Sequence, residues 1–174
     1  SSDLLDTFTN CIYYRPSKNM GGGFTGPLYY PLTDTSMSDP VFNPNDKNQI
    51  CLTIDLDAQT PNSGKELMVL DACNQTTSTL YQGEHKNVTW CNNNWIVFTD
   101  NSAKVHKIRP NGDSLTPLFN DAGTNFAGKE NPSGTLLWNY RTNSVNQGIN
   151  IIDFEGNQIK LINTLNYLPI DWLN

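Results

Sequence analysis

Four short apolar runs recur along this chain of 174 residues at nearly equal distances. Each reads as a β-strand that ends in a polar or charged residue, and the runs cover residues 11–15, 50–55, 95–100 and 136–141. With Ile12, Leu52, Ile96 and Leu137 taken as equivalent, the steps between them are 40, 44 and 41 residues. Self-similarity at such a period indicates a repeat architecture in which each repeat is one small structural unit. The spacing therefore predicts an all-β repeat protein.

Further strand-like segments accompany these runs, up to three for each. A second set follows the runs across a polar or Gly-containing loop, at residues 26–31, 66–71, 104–109 and 148–153. Short strands come next at 76–81, 114–119 and 158–162, after turn residues such as Asn111-Gly112 that favour tight reversals. An aromatic or Asn residue with turn residues precedes each next run at 41–44, 88–92 and 131–134, and a segment of the same kind stands at the very end at 169–172. Four antiparallel strands per repeat predict the blades of a β-propeller.

The pattern of these segments resembles the WD40-like PD40 repeat of TolB-type propellers. Residues 131–138, Asn-Pro-Ser-Gly-Thr-Leu-Leu-Trp, and 42–46, Phe-Asn-Pro-Asn-Asp, stand where that family carries a Ser-Pro-Asp-Gly turn. The resemblance covers nearly the whole chain, although Ser-Pro-Asp-Gly is nowhere intact. It implies a propeller fold and an envelope protein outside the cytoplasm.

We expect one domain over residues 1–174, with repeats at about 1–44, 45–92, 93–134 and 135–174. We name the four strands of a blade inner, second, third and outer, counted outward from the propeller axis. In these terms, the chain is predicted to begin with a second strand and to end with an inner one. The segment 168–173 is then expected to complete the first blade and close a ring of four. Two alternatives stay open: the chain is part of a larger ring, or its strands form a β-sandwich.

Composition and charge exclude several classes of function. The net charge is −6 and the Lys and Arg residues are scattered, so nucleic acid is not an expected partner. No apolar run approaches the roughly 20 residues that span a bilayer, and the opening Ser-Ser-Asp is no basic, apolar leader, so we expect a soluble chain whose targeting segment is gone. With 24 Asn residues, helix should be scarce.

The four cysteines, Cys11, Cys51, Cys73 and Cys91, match no zinc spacing. They are either buried thiols or disulfides. A hairpin of strands near 50–57 and 66–73 would bring Cys51 nearly opposite Cys73, so a bridge between these two is geometrically allowed.

Several residues have both a functional and a structural interpretation. His85 and His106 lie in different repeats without a nucleophile motif, which favours surface positions over catalysis. The strand-end aspartates Asp55, Asp57 and Asp100 could bind calcium through oxygen ligands, but such residues ordinarily satisfy turn donors. The tryptophans suit core packing between blades better than sugar stacking. No cofactor, metal or catalytic residue is predicted.

The predicted function is a non-catalytic binding module for a protein, peptide or glycan. In a propeller, the loops between second and third strands share a face with the connections from one blade to the next. That face would collect the following candidates: Arg15, Lys18, Asp57, His85, Asn101, Arg141 and Asn143. The alternatives are a glycan-active enzyme or accessory domain, which would need two suitably spaced carboxylates, or a structural fragment of a larger propeller. Self-association is a further possible interaction. The expected location is periplasmic, cell-surface or secreted.

Overall fold

A computed structural model describes residues 4–6, 11–13, 41–55, 65–118, 124–142 and 147–162. These residues form β-strands joined by turns and contain no helix, and therefore none long and apolar enough to cross a membrane. The strands fall into four sheets. Sheet 1 holds β1 (Leu4–Asp6) and β2 (Cys11–Tyr13); sheet 2 holds β3 (Val41–Asn43), β4 (Asp46–Asp55), β5 (Lys65–Asp71) and β6 (Thr76–Gln82); sheet 3 holds β7 (His85–Trp90), β8 (Ile96–Asp100), β9 (Val105–Ile108) and β10 (Thr116–Pro117); sheet 4 holds β11 (Thr124–Glu130), β12 (Leu136–Thr142), β13 (Gly148–Asp153) and β14 (Gln158–Ile162).

Sheets 2, 3 and 4 share one topology. In each, four antiparallel strands pair in the order in which they occur along the chain. Strand β7 contacts both β3 and β11, so the first strand of each sheet is the inner one. Successive four-stranded meanders whose inner strands meet are the arrangement of propeller blades. This confirms the predicted all-β, propeller-like fold for the described residues and excludes a sandwich of two large sheets for them.

The connections of these sheets lie on two opposite rims. The turn rim carries the links from inner to second strands, at 44–45, 91–95 and 131–135, and from third to outer strands, at 72–75, 109–115 and 154–157. Its inner turns contact each other, because Asn45 Nδ2 donates to Asn92 O at 2.8 Å and Asn93 Nδ2 donates to Gly134 O at 3.2 Å. The crossover rim carries the opposite ends of the strands, with the loop 101–104 and the link at 83–84 between sheets 2 and 3.

Two hydrophobic cores lie between the sheets. Side chains on one face of sheet 2, such as Leu67 and Leu80, pack against Ile96, Phe98 and Ile108 of sheet 3. We call this contact the first wedge. The second wedge joins the other face of sheet 3 to sheet 4. Its side chains that are at most 6% exposed are Cys91, Val97, Val105, Leu118, Leu137, Ile152 and Phe154. Alternation along each strand directs neighbouring residues of sheet 3 into different wedges, as with Phe98 and Val97.

The structure corrects the placement of the inner strands. Residues 131–134 form a turn, in which the Asn131 carboxamide oxygen accepts hydrogen bonds from the Thr135 and Leu136 amides. The inner strand of sheet 4 lies earlier, at Thr124–Glu130. A strand also precedes β2 and pairs with it, so the expectation that the strand order starts with a second strand is wrong. The segment 168–173, proposed to close the ring, lies outside the described residues.

The proposed bridge between Cys51 and Cys73 does not form. Cys51 pairs with Val69 across the hairpin, whereas Cys73 lies beyond the end of β5 in the turn. Cys51 is a free buried thiol, as is Cys91, while Cys73 belongs to a different disulfide. The sequence estimate placed the end of the hairpin about two residues too late, and this shift moves the cysteine out of register.

Candidate functional site

The predicted binding residues are only partly within the described structure. Arg15, Lys18, Asp57 and Asn143 lie outside the described residues, so their place on a common face stays a prediction. Asn101 is exposed in the loop after β8, on the crossover rim. His85 and Arg141 lie at the same rim but are buried, with exposures of 3% and 6%. Of these three described candidates, Asn101 alone presents an exposed side chain to a ligand.

His85 is a structural element of the first wedge. Its Nδ1 lies 2.7 Å from Gly83 O and its Nε2 lies 2.8 Å from Thr53 Oγ1. A carbonyl oxygen can only accept, so Nδ1 carries the proton and Nε2 accepts from the Thr53 hydroxyl. Burial lowers the pKa of His85, and this outweighs the hydrogen bond to Gly83 and the charge of Glu84, which raise it. The neutral ring therefore links sheet 2 to the start of sheet 3.

His106 lies within hydrogen-bond distance of Asp100 inside sheet 3. Its Nε2 lies 2.9 Å from Asp100 Oδ2, and the Lys104 amide donates to the other carboxylate oxygen at 2.9 Å. Burial on its own would raise the pKa of Asp100, but the hydrogen bonds from Lys104 and His106 hold it below the ordinary value. The strand-end Asp100 thus satisfies a turn donor, as expected from the sequence. Asp55 and Asp57 have no described side chains.

The two histidines meet at one aromatic group, which makes the expectation of surface positions wrong. Phe98 stacks on His106 with ring centroids 5.5 Å apart, and Tyr81 packs against Phe98 at 4.9 Å. His85 lies edge-on to Tyr81 at 6.2 Å. We call these residues, with Asp100, the histidine cluster. Burial, together with the Asp100 charge, raises the pKa of Tyr81, so its phenol stays protonated at neutral pH.

An ion pair lies beside the histidine cluster. Lys65 Nζ is 2.8 Å from Glu84 Oε2, and the two side chains are only 9% and 18% exposed. Their backbones are also linked nearby, because the Gly83 amide donates to Lys65 O at 2.8 Å. The pair therefore fixes the link between sheets 2 and 3 on the crossover rim.

The histidine cluster has catalytic residue types in a geometry that does not suit catalysis. A histidine paired with an aspartate can act as a general base when its second nitrogen reaches the substrate. Here His106 Nδ1 is buried, and no described residue hydrogen bonds to it. A substrate atom could reach it only if the packing around this nitrogen opened. Within the described ranges, no three His, Cys, Asp or Glu side chains are grouped closely enough to hold a metal ion.

Sequence reasoning missed the partners of the two histidines. Tyr81, Lys65 and Glu84 were not singled out, although Glu84 adjoins His85 in the chain. Their convergence depends on the pairing of sheet 2 against sheet 3, which no local pattern encodes. Core packing is confirmed for two tryptophans: Trp90 is 4% exposed in the first wedge, and Trp95 packs against the core of the second. Trp138 is half-buried.

Comparison with known proteins shows the fold and no family. No protein-family model and no curated sequence matches the chain. Among solved structures, a nidogen/laminin complex matches with a TM-score of 0.53 and 14% identity, over 70% of this chain and 46% of that chain. An oligogalacturonate lyase in complex with manganese matches with a TM-score of 0.55 and 15% identity, over 72% of this chain and 42% of the lyase.

TolB from Acinetobacter baumannii matches with a TM-score of 0.50 and 15% identity, over 68% of this chain and 30% of TolB. The chain thus spans less than half the length of each of these three solved structures. At such low identity the likeness concerns the fold alone. It supports a TolB-like, propeller-type architecture.

Proposed function

We propose that this chain is a non-catalytic binding module that recognises a protein, peptide or glycan through its crossover rim. The observation that carries the proposal is a contrast at that rim. The titratable pairs His106–Asp100 and Lys65–Glu84 are at most 18% exposed and are bonded to each other, whereas the loop with Asn101 above them is exposed and polar. Surface loops on a rigid scaffold are where binding residues concentrate.

Two of the solved neighbours are consistent with a role in recognition. The nidogen/laminin structure is a complex between proteins, and TolB shares the propeller-type fold. Neither assigns a partner to this chain. The predicted candidates Arg15, Lys18, Asp57 and Asn143 belong to the proposal as further members of the same rim.

We also propose an extracytoplasmic location. The disulfide at Cys73 supports it, because disulfides persist in oxidising compartments and are rare in the cytosol. In protein isolated from its native source, Cys73 should resist alkylation until a reductant is added. Alkylation of Cys73 without reductant would contradict this location.

Four repeats in one closed ring remain our proposal for the whole chain. Strand β1 pairs with β2, so it competes with segment 168–173 for the inner position of sheet 1. If the C-terminal segment closes the ring, removing residues 168–174 should lower the free energy of unfolding and promote self-association in sedimentation velocity. An unchanged stability and a monomeric truncated protein would favour β1 as the inner strand.

A binding screen with matched variants tests the main proposal. A glycan array and a displayed library of random peptides are each probed with the wild-type chain and with a rim variant that carries alanine at Arg15, Lys18, Asp57, Asn101 and Asn143. Arg141 is left intact because it is buried. We expect a ligand selected by the wild type to lose at least about tenfold in affinity for the rim variant.

The control is Glu155→Ala, which changes an exposed residue on the turn rim. It should bind as the wild type does. Equal affinity of the rim variant and the wild type would contradict the proposal, and so would the absence of any selected ligand.

Our second candidate is a glycan-active enzyme or accessory domain; one solved structure of similar fold is an oligogalacturonate lyase in complex with manganese. That candidate predicts release of unsaturated products from oligogalacturonate in the presence of manganese, seen as a rise in ultraviolet absorbance. No turnover with manganese would leave the binding module as the function that the rim supports.

A further inference from the structure

The first wedge opens into a cleft on the turn rim, on the side of the molecule opposite to the proposed binding face. The cleft has a volume of about 580 Å³, within the range of small-molecule sites. One wall comes from strands β4, β5 and β6 and includes Gln49, Asp71 and Ser78; the other comes from turns of sheet 3 and includes Asn94 and Arg109.

The wall of sheet 2 is built by strand register. Gln49 pairs with Asp71, and Val69 pairs with Ser78, so these four side chains share the face that looks toward sheet 3. Val69 is buried and forms an apolar floor, whereas Ser78 is exposed. The cleft therefore has polar walls and a small apolar floor.

The charged groups of the cleft are held in place by neighbouring residues. Arg109 Nη1 donates to Asn93 O at 2.9 Å and to Asn94 O at 3.1 Å, and its guanidinium carbon lies 3.6 Å from the centroid of the Trp95 ring. On the other wall, Asp71 accepts hydrogen bonds from the Asn74 amide and side chain at 2.9 and 2.8 Å. These bonds keep the pKa of Asp71 low, so it is a fixed acceptor.

The amide side chains complement this acceptor. The oxygen of Gln49 already accepts from Asn43 at 2.9 Å, and the oxygen of Asn94 accepts from Trp90 Nε1 at 3.3 Å. Each amide nitrogen can therefore serve as a donor toward a ligand. The Ser78 hydroxyl can both donate and accept. Donors and acceptors thus face each other across the cleft.

This chemistry selects one class of ligand. A phosphate group needs several free cationic donors, but the single arginine here is already bound to two carbonyl groups and stacked on Trp95. An apolar side chain would find little more than Val69 and Pro110 to contact. A neutral ligand with many hydroxyl groups can bond to both walls, because each hydroxyl is donor and acceptor at once. We propose that the cleft of the first wedge binds a neutral carbohydrate.

The probes are four neutral disaccharides: cellobiose, lactose, maltose and chitobiose. Binding is detected by saturation-transfer NMR and quantified by calorimetry on the full chain. At least one disaccharide should bind saturably, and Asp71→Asn and Ser78→Ala should each weaken it by about 3- to 10-fold, the equivalent of one lost hydrogen bond. Ser78 is exposed, so its truncation leaves folding intact and keeps the test valid if Asp71→Asn unfolds the turn.

Asp153→Asn is the matched control. Asp153 ends the third strand of sheet 4 and caps its turn through Asn157 at 2.7 and 2.8 Å, as Asp71 does in sheet 2, but it lies outside the cleft. It should leave the affinity unchanged, and so should Asn101→Ala on the crossover rim, which separates this inference from the proposed function. No saturable binding of any disaccharide would overturn the proposal. Binding that is insensitive to both cleft variants, or equally sensitive to Asp153→Asn, would overturn it as well.

Discussion

The two wedges have the same topology but differ in how completely they are filled. In each wedge, a turn of one sheet approaches the outer strand of the sheet before it in the chain. The turn is the one between the third and outer strands, in sheet 3 for the first wedge and in sheet 4 for the second. In the second wedge, Leu118 and Phe154 fill this approach and both are buried. In the first wedge, the corresponding space is the polar cleft beside Asp71 and Arg109.

The outer strand of the earlier sheet accounts for much of the difference. Strand β10 has only two residues, and the chain then turns Leu118 into the second wedge, where its amide donates to Val105 O at 2.8 Å. Strand β6 has seven residues, and its first four are exposed. A repeat can therefore form either a packed contact or a recess through changes in one edge strand. The second wedge is thus filled by core side chains, and the first wedge leaves space for a ligand.

The largest expected effect comes from a matched pair of glycine substitutions. Gly112 and Gly156 hold the same place in the turns of sheets 3 and 4 and have the same φ of 87°. A Cβ at Gly156 would lie 2.2 Å from Leu118 O, whereas one at Gly112 would lie 3.7 Å from Thr79 O. Both alanine variants incur the cost of a positive φ, about 1 kcal/mol. Gly156→Ala adds a backbone clash and should cost at least about 3 kcal/mol in total.

Urea unfolding of both variants measures the difference. The backbone strain is common to both variants. The additional loss in the free energy of unfolding for Gly156→Ala therefore reports how tightly the second wedge is packed. Equal destabilisation would show that the two wedges are equally tight at this turn, and the comparison would fail.

The next effect concerns pH, and the first wedge carries both histidines of the chain. The folded-state pKa of His85 is lowered by burial, so the unfolded state binds the proton more tightly. Stability should therefore fall as the pH drops below the unfolded value of about 6.5. The slope is at most about 1.4 kcal/mol per pH unit for one group. Between pH 7.5 and 5.5, the free energy of unfolding of His85→Asn should depend less on pH than that of the wild type. His106→Asn should retain the pH dependence that is due to His85.

The second wedge should respond to pH with the opposite sign. Burial raises the pKa of Glu130, although the Asn92 amide donates to it at 2.6 Å and lowers it in part. The stability linked to Glu130 is thus fully present below about pH 4.5 and lost as the pH rises through the folded value. Unfolding of Glu130→Gln, measured from pH 4.5 to 6.5, should lack this loss. A loss of the same size in the variant would rule out Glu130 as its source.

Local patterns predicted the strands that carry continuous apolar runs. The runs 50–55 and 136–141 fall within β4 and β12, and 66–71 and 148–153 match β5 and β13 closely. These strands are central in their sheets, so their apolar residues are numerous and easy to recognise.

The inner strands were harder to predict because their sequences contain no continuous apolar run. Strand β11 reads Thr-Asn-Phe-Ala-Gly-Lys-Glu and contains an irregularity between Ala127 and Glu130. Its Gly128 is required, since a Cβ there would lie 2.2 Å from the Trp138 ring. The prediction instead chose the stronger Asn-Pro-Ser-Gly signal, which is the following turn. The histidine cluster and the cleft both depend on contacts between sheets and could not be predicted from local patterns.

The smallest effect uses one natural cysteine in each wedge. Cys51 lies in the core of the first wedge and Cys91 in that of the second, and both are at most 1% exposed. Burial raises the pKa of both thiols, so neither reacts as a thiolate until its wedge opens. Because the first wedge contains the cleft, we expect it to open more readily and to expose Cys51 more often. Iodoacetamide labelling at pH 8, mapped by peptide mass without reductant, should modify Cys51 about 3- to 10-fold faster than Cys91 in the native chain. The two should react alike in urea. Faster labelling of Cys91 in the native chain would mean that the filled wedge opens first, and that packing at the turn rim does not govern how the sheets separate.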